Sequence, residues 1–285
     1  MKHKILSLIH SINKYKRQIL RIHLNKMQFY FFGNWFNIKF INPFENSAYY
    51  ISKRRKLIEN SQIKFSIIMP TYNRAFCIEN AINSLLKQTY QNYELIIIDD
   101  GSSDNTEELL KEKYYQYFEN NKFEYIKHNH IGVSAARNFG LNIAKNDWIA
   151  YLDTDNELKP NYLEEFAYAI YKNKNTCFYA QILRPKSGII GRPFNYEKLR
   201  KKNYIDGGVF VHQKSLIDKY GNFDINLKRL VDWDLILRFT KKEKPFFIHK
   251  VLLTYNDNSD FSKITNTENY EEATYINRRK SENAK

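Results

Sequence analysis

The sequence predicts an α/β domain, a mostly parallel central sheet covered by helices, behind a basic and aromatic-rich N-terminal extension. Three observations carry this reading. From Phe65 onward, short apolar runs alternate with segments whose apolar residues fall at helical spacing, the rhythm of repeated β-α units. The strand-like runs are uniformly apolar rather than alternating, as expected of strands buried on both faces of a sheet. The basic residues concentrate outside this pattern: residues 1–60 carry 12 Lys or Arg against Glu45 and Glu59, a net +10 out of the chain's +14.

Within residues 1–60, Ile5, Leu8, Ile9, Ile12, Tyr15, Ile19 and Ile22 recur at helical spacing, with Lys4 and Lys16 interrupting the apolar side. An aromatic stretch, MQFYFFGNWFNIKFINPF, and the run Lys53-Arg54-Arg55-Lys56 follow. Phe65–Met69 then reads as a buried strand closed by Pro70. Ile78, Ala81, Ile82, Leu85 and Leu86 form one face of a helix, and Leu95–Ile98 is a second buried strand. Asp104 and Glu107 have the spacing of a capping box for a helix running towards Tyr117. Phe123–Ile126 is a third strand, residues 133–145 a helix, and Trp148–Leu152 a fourth strand that delivers Asp153 to its C-terminal end. A helix over residues 160–171 takes Pro160 in its first turn. Residues 183–203, with seven basic side chains and no periodicity, read as a long loop of functional character. Ile205–Val211 resumes a strand, Ser215–Tyr220 a short helix, Leu230–Phe239 a longer one and Phe246–Thr254 a last strand. The expected organisation is an extension over 1–60, a catalytic domain over 61–256, and a polar, helical tail over 257–285.

Composition narrows the function. Hydrophobic residues at 43% and charged residues at 27% belong to an ordered globular chain. No run approaches the ~20 apolar residues of a membrane span, and the N-terminus lacks a small-residue cleavage site. A cytoplasmic location is expected, free or on a membrane surface. Cys77 and Cys177 have no ligand spacing and sit in apolar segments, as core thiols of a reducing compartment do. The near-neutral balance of residues 61–285 argues against a nucleic-acid footprint, which would place basic residues on the folded core.

The unusual polar clusters stand where strands end: Thr71-Tyr72-Asn73-Arg74, Asp99-Asp100-Gly101-Ser102 and Asp153-Thr154-Asp155-Asn156. In open parallel sheets the ligand site lies beyond the C-terminal strand ends. Asp153 and Asp155 are two positions apart, so on extended backbone both carboxylates can approach one ligand. A hard divalent cation stabilises such a pair in its ionised form and can bridge the phosphates of a nucleoside diphosphate. Asp99 and Asp100, with Gly101 and Ser102, offer acceptors and backbone donors to a nucleoside.

The segments FSIIMPTYNR, QTYQNYELIIIDDGSSDNT, GVSAARNFGLNIAKNDWIAYLDTDNELKP and YGNFDINLKRLVDWDLILRF, in this order, resemble the inverting glycosyltransferases of family 2, which have the Rossmann-like GT-A fold. The resemblance covers about residues 63–256. It implies a nucleotide-sugar donor, in particular a UDP-sugar, a divalent Mn2+ or Mg2+, and a glycan or lipid-linked oligosaccharide acceptor. It implies that Pro70, Thr71 and Tyr72 hold the base and that Asp100 reads the pyrimidine imide. Arg137 is implied near the donor, Asp153 near the ribose and the metal's water shell, and Asp155 on the metal. The catalytic base falls on Asp232. Its usual glutamate neighbour is replaced by Val231, and Asp234 faces elsewhere on a helix. Some members carry a late histidine where this chain has Asn258, a weaker substitute.

Two rival readings are weighed on the residues. A nucleotidyltransferase needs a glycine-rich basic loop after the first strand, which is missing; a nucleic-acid-binding protein would use the basic extension. For that extension three roles remain open: attachment to an anionic membrane surface, packing on the catalytic domain, or a homo-oligomer contact.

Overall fold

The computed structural model describes residues 48–227 and 229–256; the notable sequence features at 1–47 and at 257–285, Asn258 and the helical tail included, lie outside the described residues. The chain divides into two compact units, Met1–Arg54 and Arg55–Lys285. In the first, residues 48–54 form the opening of helix α1 (Ala48–Glu59). The second holds every strand of the sheet.

The predicted alternation is present. Strand β1 (Phe65–Thr71) leads through helix α2 (Ile78–Leu86) to β2 (Tyr93–Asp99). Helices α3 (Thr106–Lys113) and α4 (Tyr115–Glu119) lead to β3 (Phe123–Lys127), and α5 (Val133–Ile143) leads to β4 (Trp148–Tyr151). After β5 (Glu157–Leu158) and α6 (Tyr162–Lys172) come β6 (Cys177–Arg184), β7 (Gly188–Ile190) and α7 (Tyr196–Lys201). A 3-10 turn (Gly207–Val209), β8 (Phe210–Gln213), α8 (Ser215–Tyr220), α9 (Val231–Thr240) and β9 (Phe246–Thr254) complete the described domain.

The strands form one sheet in the order β3-β2-β1-β4-β8-β6-β9-β5, with β7 on β6. β3, β2, β1 and β4 run parallel, and β8 joins β4 antiparallel. The uniform hydrophobicity of β1 and β2 has its cause in cover on both faces. Ile67, Met69, Leu95 and Ile97 point into the layer that holds α2 and α6; Ile68, Ile96 and Ile98 point into the layer that holds α5 and α9. Helix α2 shows how the pattern is converted into stability: Ile78, Ile82 and Leu85 are fully buried, each contributing roughly 1.5–3 kcal/mol. Cys77 and Cys177 are buried as expected, and burial pushes their thiols up to about 11 and about 12.

Several local expectations are corrected. Asp104 does not pair with Glu107 in a capping box. Its carboxylate accepts from Ala75 N at 3.1 Å, Thr106 N at 3.1 Å and Thr106 Oγ1 at 2.5 Å, tying the loop after β1 to the start of α3, while Glu107 turns to Lys111 and Lys127. The helix towards Tyr117 breaks at Tyr114. Pro160 precedes α6 rather than opening it, and its carbonyl accepts from Thr89 N at 2.8 Å. The long basic loop contains the β6–β7 hairpin and α7, and the strand expected from Ile205 begins only at Phe210, after the 3-10 turn.

Candidate active site

The three polar clusters lie at the C-terminal ends of β1, β2 and β4, which are neighbours in the order β2-β1-β4. The sheet therefore gathers on one edge side chains separated by up to 85 positions in sequence.

At the β1–β2 end the two loops are bonded together. Asn73, with a left-handed φ of 52°, donates its N–H to Ser102 Oγ at 2.8 Å and accepts on Oδ1 from Ser103 N at 2.8 Å. Gly101 has φ 86°, and a Cβ there would stand 2.9 Å from His130 N, so only glycine allows this approach. Asp99 is fully buried, accepting from Ser102 N at 2.7 Å and from the Tyr125 hydroxyl at 2.6 Å. Asp100 accepts on Oδ1 from Ile131 N at 2.5 Å and on both oxygens from Gly132 N, just before α5, and His130 Nδ1 stands 3.2 Å from its Oδ2. Pro70 is half-buried. Tyr72 is exposed and lies against the His130 ring, with centroids 4.5 Å apart. The hydroxyls of Thr71 and Ser134 are buried without a hydrogen-bond partner among the described residues. Such orphaned hydroxyls beside the strand-end loops suit a polar ligand.

At the β4 end, Arg137 of α5 donates from Nη2 to Asp153 Oδ1 at 2.7 Å, and its guanidinium lies 5.4 Å from the centre of the Phe223 ring. The spacing of 16 residues is what one α-β step needs to bring a helix side chain to the end of the next strand. Asp155 is half-buried and interacts electrostatically with Cys77 and Tyr255. Asp232, in the first turn of α9, accepts from Gly207 N at 3.3 Å. Burial raises the Asp232 carboxyl above the ordinary range and Asp153 adds to this, while Arg137 and the N–H groups of Trp233 and Gly207 oppose the rise. Asp234 is engaged elsewhere: it accepts from Arg238 Nε at 2.9 Å, and Arg238 also binds the carbonyls of Tyr220, Gly221 and Asn222.

A further carboxylate belongs to this cluster. Asp206 accepts from Gly208 N at 2.9 Å and lies 3.7 Å from Arg184 Nη2. Burial, then Asp232 and Asp153, lifts its carboxyl to about 6. Gly207 makes this proximity possible, since a Cβ there would sit 3.1 Å from Asp232 Cβ. The sequence points to Ile205-Asp206-Gly207-Gly208 as a source of pocket side chains without assigning their contacts, and a strand reading of Ile205–Val211 hides the turn that brings the Asp206 carboxylate within electrostatic reach of Asp232.

Arg137, Asp153, Asp206 and Asp232 thus lie together, next to a strand edge lined by backbone donors and orphaned hydroxyls. This arrangement can take a proton, hold a polar sugar and oppose the charge of a phosphate ester. Among the described residues no group of three or more His, Cys, Asp or Glu side chains is placed to hold a metal ion by itself, and no helix is long and apolar enough to cross a membrane.

The chain is similar to known proteins over the same region. The family model described as glycosyl transferase family 2 matches residues 66–231. The UDP-Glc:α-D-GlcNAc-diphosphoundecaprenol β-1,3-glucosyltransferase WfgD of Escherichia coli is 34% identical over 163 residues, which cover 54% of this chain and 62% of that protein. The chain spans 62% of the length of WfgD and of two other relatives that it matches. The structure of Staphylococcus aureus TarS in complex with UDP-GlcNAc superposes with a TM-score of 0.65 at 17% identity, covering 75% of this chain and 64% of that one. A mannosyltransferase from Pyrobaculum calidifontis in complex with GDP-Man and Mn2+ superposes with a TM-score of 0.56 at 16% identity, covering 74% of this chain and 65% of that one. These two share the fold. With its family motifs on the strand ends and more than half its length matched, the chain belongs to glycosyltransferase family 2.

Proposed function

We propose that this chain transfers a sugar, with inversion, from a UDP-sugar to a hydroxyl of a glycan or lipid-linked oligosaccharide. The observation that carries this reading is the grouping of Asp153, Asp206 and Asp232 with Arg137 beside the strand-end loops. Support for the donor and acceptor classes comes from WfgD, whose name specifies UDP-Glc and a diphosphoundecaprenol-linked sugar.

In this reading the base and ribose lie over Thr71, Tyr72 and Asp100, with Pro70 shaping the loop and Asp99 holding it through Ser102. The Asp153 and Asp155 carboxylates suit a hard cation such as Mn2+ or Mg2+, which takes one or two carboxylates and completes its shell with water and substrate phosphates. A fold neighbour whose complex holds GDP-Man and Mn2+ supports this assignment. Asp155 would hold the ion, with Asp153 beside it. When bound, the cation would neutralise the diphosphate as negative charge develops on it. Arg137 holds Asp153 in place through their ion pair.

The acceptor oxygen forms its bond to the anomeric carbon on the face opposite the diphosphate, the bond to the diphosphate breaks, and the acceptor proton passes to Asp232. One displacement inverts the centre. Asp232 suits this role because burial raises its proton affinity above that of a solvated carboxylate while Arg137 and two backbone N–H groups favour the ionised form. The residues that occupy the site determine the donor, so the test is a panel of nucleotide-sugars incubated with Mn2+ and no acceptor. Slow hydrolysis of one donor, lost in Asp232→Asn, is expected. Absence of both binding and hydrolysis across UDP- and GDP-sugars would refute the reading.

The net +10 and the aromatic stretch of residues 1–60 fit attachment to an anionic membrane surface, where a lipid-linked acceptor resides. Sedimentation with anionic liposomes at low salt should pellet the full chain but not one beginning near Asn60. Equal pelleting of the two would assign binding to the catalytic domain, and no pelleting would end the idea.

A further inference from the structure

Helix α7 stands beside the carboxylate proposed as the base. The indole N–H of Trp233, the residue after Asp232, donates to the Leu199 carbonyl at 3.0 Å, and the Leu199 side chain is fully buried. The helix is therefore seated on the first turn of α9, about one helix diameter, roughly 10 Å, from Asp232. Its start is fixed as well. Asn195 Oδ1 accepts from Lys198 N at 2.9 Å, and the Tyr204 hydroxyl accepts from Asn195 N at 2.9 Å and donates to the Asn195 carbonyl at 3.0 Å. A helix of 6 residues does not hold in isolation, so these ties make it a fixed platform.

The platform is strongly basic. Lys198, Lys201 and Lys202 are exposed, and their spacing of three and four positions brings them to one side of the helix. Arg192 is also exposed, and its guanidinium lies 4.9 Å from the centre of the Tyr204 ring. Glu197, the acid of this stretch, is turned to Arg200 at 3.3 Å. Among the described residues, none of Arg192, Lys198, Lys201 and Lys202 has a carboxylate within ion-pair distance. Like charges at this spacing repel and oppose the helix that carries them. Lys198 also lies in the first turn, where the helix dipole disfavours a cation. An anion of high charge density on that side would remove both costs. Asp153 and Arg137, which meet the donor diphosphate in the transfer reading, approach Asp232 from β4 and α5, whereas α7 reaches it through Trp233.

We propose that α7 and Arg192 form the recognition surface for a phosphate-bearing acceptor, so that the sugar passes to a hydroxyl close to a phosphodiester or diphosphate. Lysine ammonium groups bind phosphate as point charges without demanding one geometry. The inference rests on the transfer reading above and adds to it the charge of the acceptor. Two sources present this chemistry: phosphodiesters within a glycan, and the diphosphate that joins a glycan to a lipid.

The test uses the full chain, the variant Lys198→Ser/Lys201→Ser/Lys202→Ser, and Lys174→Ser/Lys242→Ser/Lys244→Ser as a control of equal charge. The control lysines are exposed and lie beside or beyond the far end of α9. Calorimetry with Mn2+ present measures affinity for UDP, GDP, a phosphodiester-linked GlcNAc oligomer, GlcNAc-diphosphate on a short prenyl chain, and octyl β-GlcNAc as the neutral probe. Loss of three exposed phosphate contacts predicts a drop of about three- to thirtyfold for at least one phosphate probe in the first variant. The drop should shrink as salt is raised to ~0.5 M, and the probe that loses affinity identifies the source. Nucleotide and octyl β-GlcNAc affinities, and every affinity of the control variant, should change less than about twofold. Unchanged affinity for both phosphate probes, an equal fall in the control variant, or an equal fall for UDP overturns the acceptor surface and leaves the transfer reading intact. So does a wild type that binds neither phosphate probe more tightly than octyl β-GlcNAc. A wild type that binds neither nucleotide overturns the transfer reading and this inference with it.

Discussion

Asp206 offers a thermodynamic prediction independent of any ligand. Its carboxyl is lifted from an ordinary 3.8 to about 6, first by burial and then by Asp232 and Asp153, against the pull of Gly208 N–H and Arg184. Between these two values the folded protein holds a proton that the unfolded chain has released. Stability therefore falls as pH rises through this window and stays lowered above it. At about 1.4 kcal/mol per pH unit, the gap corresponds to about 3 kcal/mol against the folded state at neutral pH, an order-of-magnitude figure. The side chain is only 16% exposed, so solvent screening removes little of it. Asp206→Asn removes the charge and keeps an acceptor for Gly208 N–H. In chemical denaturation with EDTA at pH 7.5 the variant should be the more stable by up to about 3 kcal/mol, or about 5–10 °C in Tm. At pH 4.5 about a third of the advantage, roughly 1 kcal/mol, should remain, and it should vanish only below about pH 3.8, where the carboxyl is protonated in the unfolded chain as well. A variant no more stable than the wild type at pH 7.5, or a difference independent of pH, would refute the reasoning.

Other perturbations separate the neighbouring carboxylates. Asp232→Asn should lower transfer by about 10²–10⁴-fold with UDP affinity unchanged, measured by product formation and calorimetry; near-normal turnover would eliminate Asp232 as the base. Asp155→Ala should weaken UDP binding in Mn2+ and make the remaining affinity insensitive to EDTA, whereas equal metal dependence in the variant and wild type would remove Asp155 from the cation site. Gly207→Ala should push Asp232 by a few tenths of an ångström, since the new Cβ would lie 3.1 Å from Asp232 Cβ. Its kcat should fall several-fold, about three to ten, with UDP affinity intact. Asp234→Asn should cost roughly 2 kcal/mol of stability through the loss of Arg238, with activity per folded molecule preserved; a kcat collapse there would move the base to Asp234.

The parts of the fold set by local patterning were legible. Phe65–Met69, Leu95–Ile98 and Trp148–Leu152 are mostly apolar because strands covered on both faces bury nearly every side chain, Ser66 being satisfied by Glu94 Oε1 at 2.6 Å, and the observed strands fall on these runs. The clusters at 71–74, 99–102 and 153–156 could be placed on one edge because parallel strands linked by helices all end on the same side. The segment 183–203 was not legible: β7 has three residues and α7 six, too short for any periodicity, and each is held by partners outside its own stretch. Tyr204 closes α7 by accepting from Asn195 N at 2.9 Å, and the Tyr179 hydroxyl donates to the Arg192 carbonyl at 2.6 Å.

By itself, the sequence determined the α/β alternation, the strand-end location of the polar clusters and the membership of a family. Only the tertiary structure decided that Arg137 pairs with Asp153, that Asp100 is tied to the loop before α5, and that Asp206 joins Asp232 and Arg184. The physical reason is that periodicity and burial are written in neighbouring residues. Charge pairing and the lifted proton affinities of Asp206 and Asp232 arise from desolvation and from groups far away in the chain, which meet only when the sheet has formed.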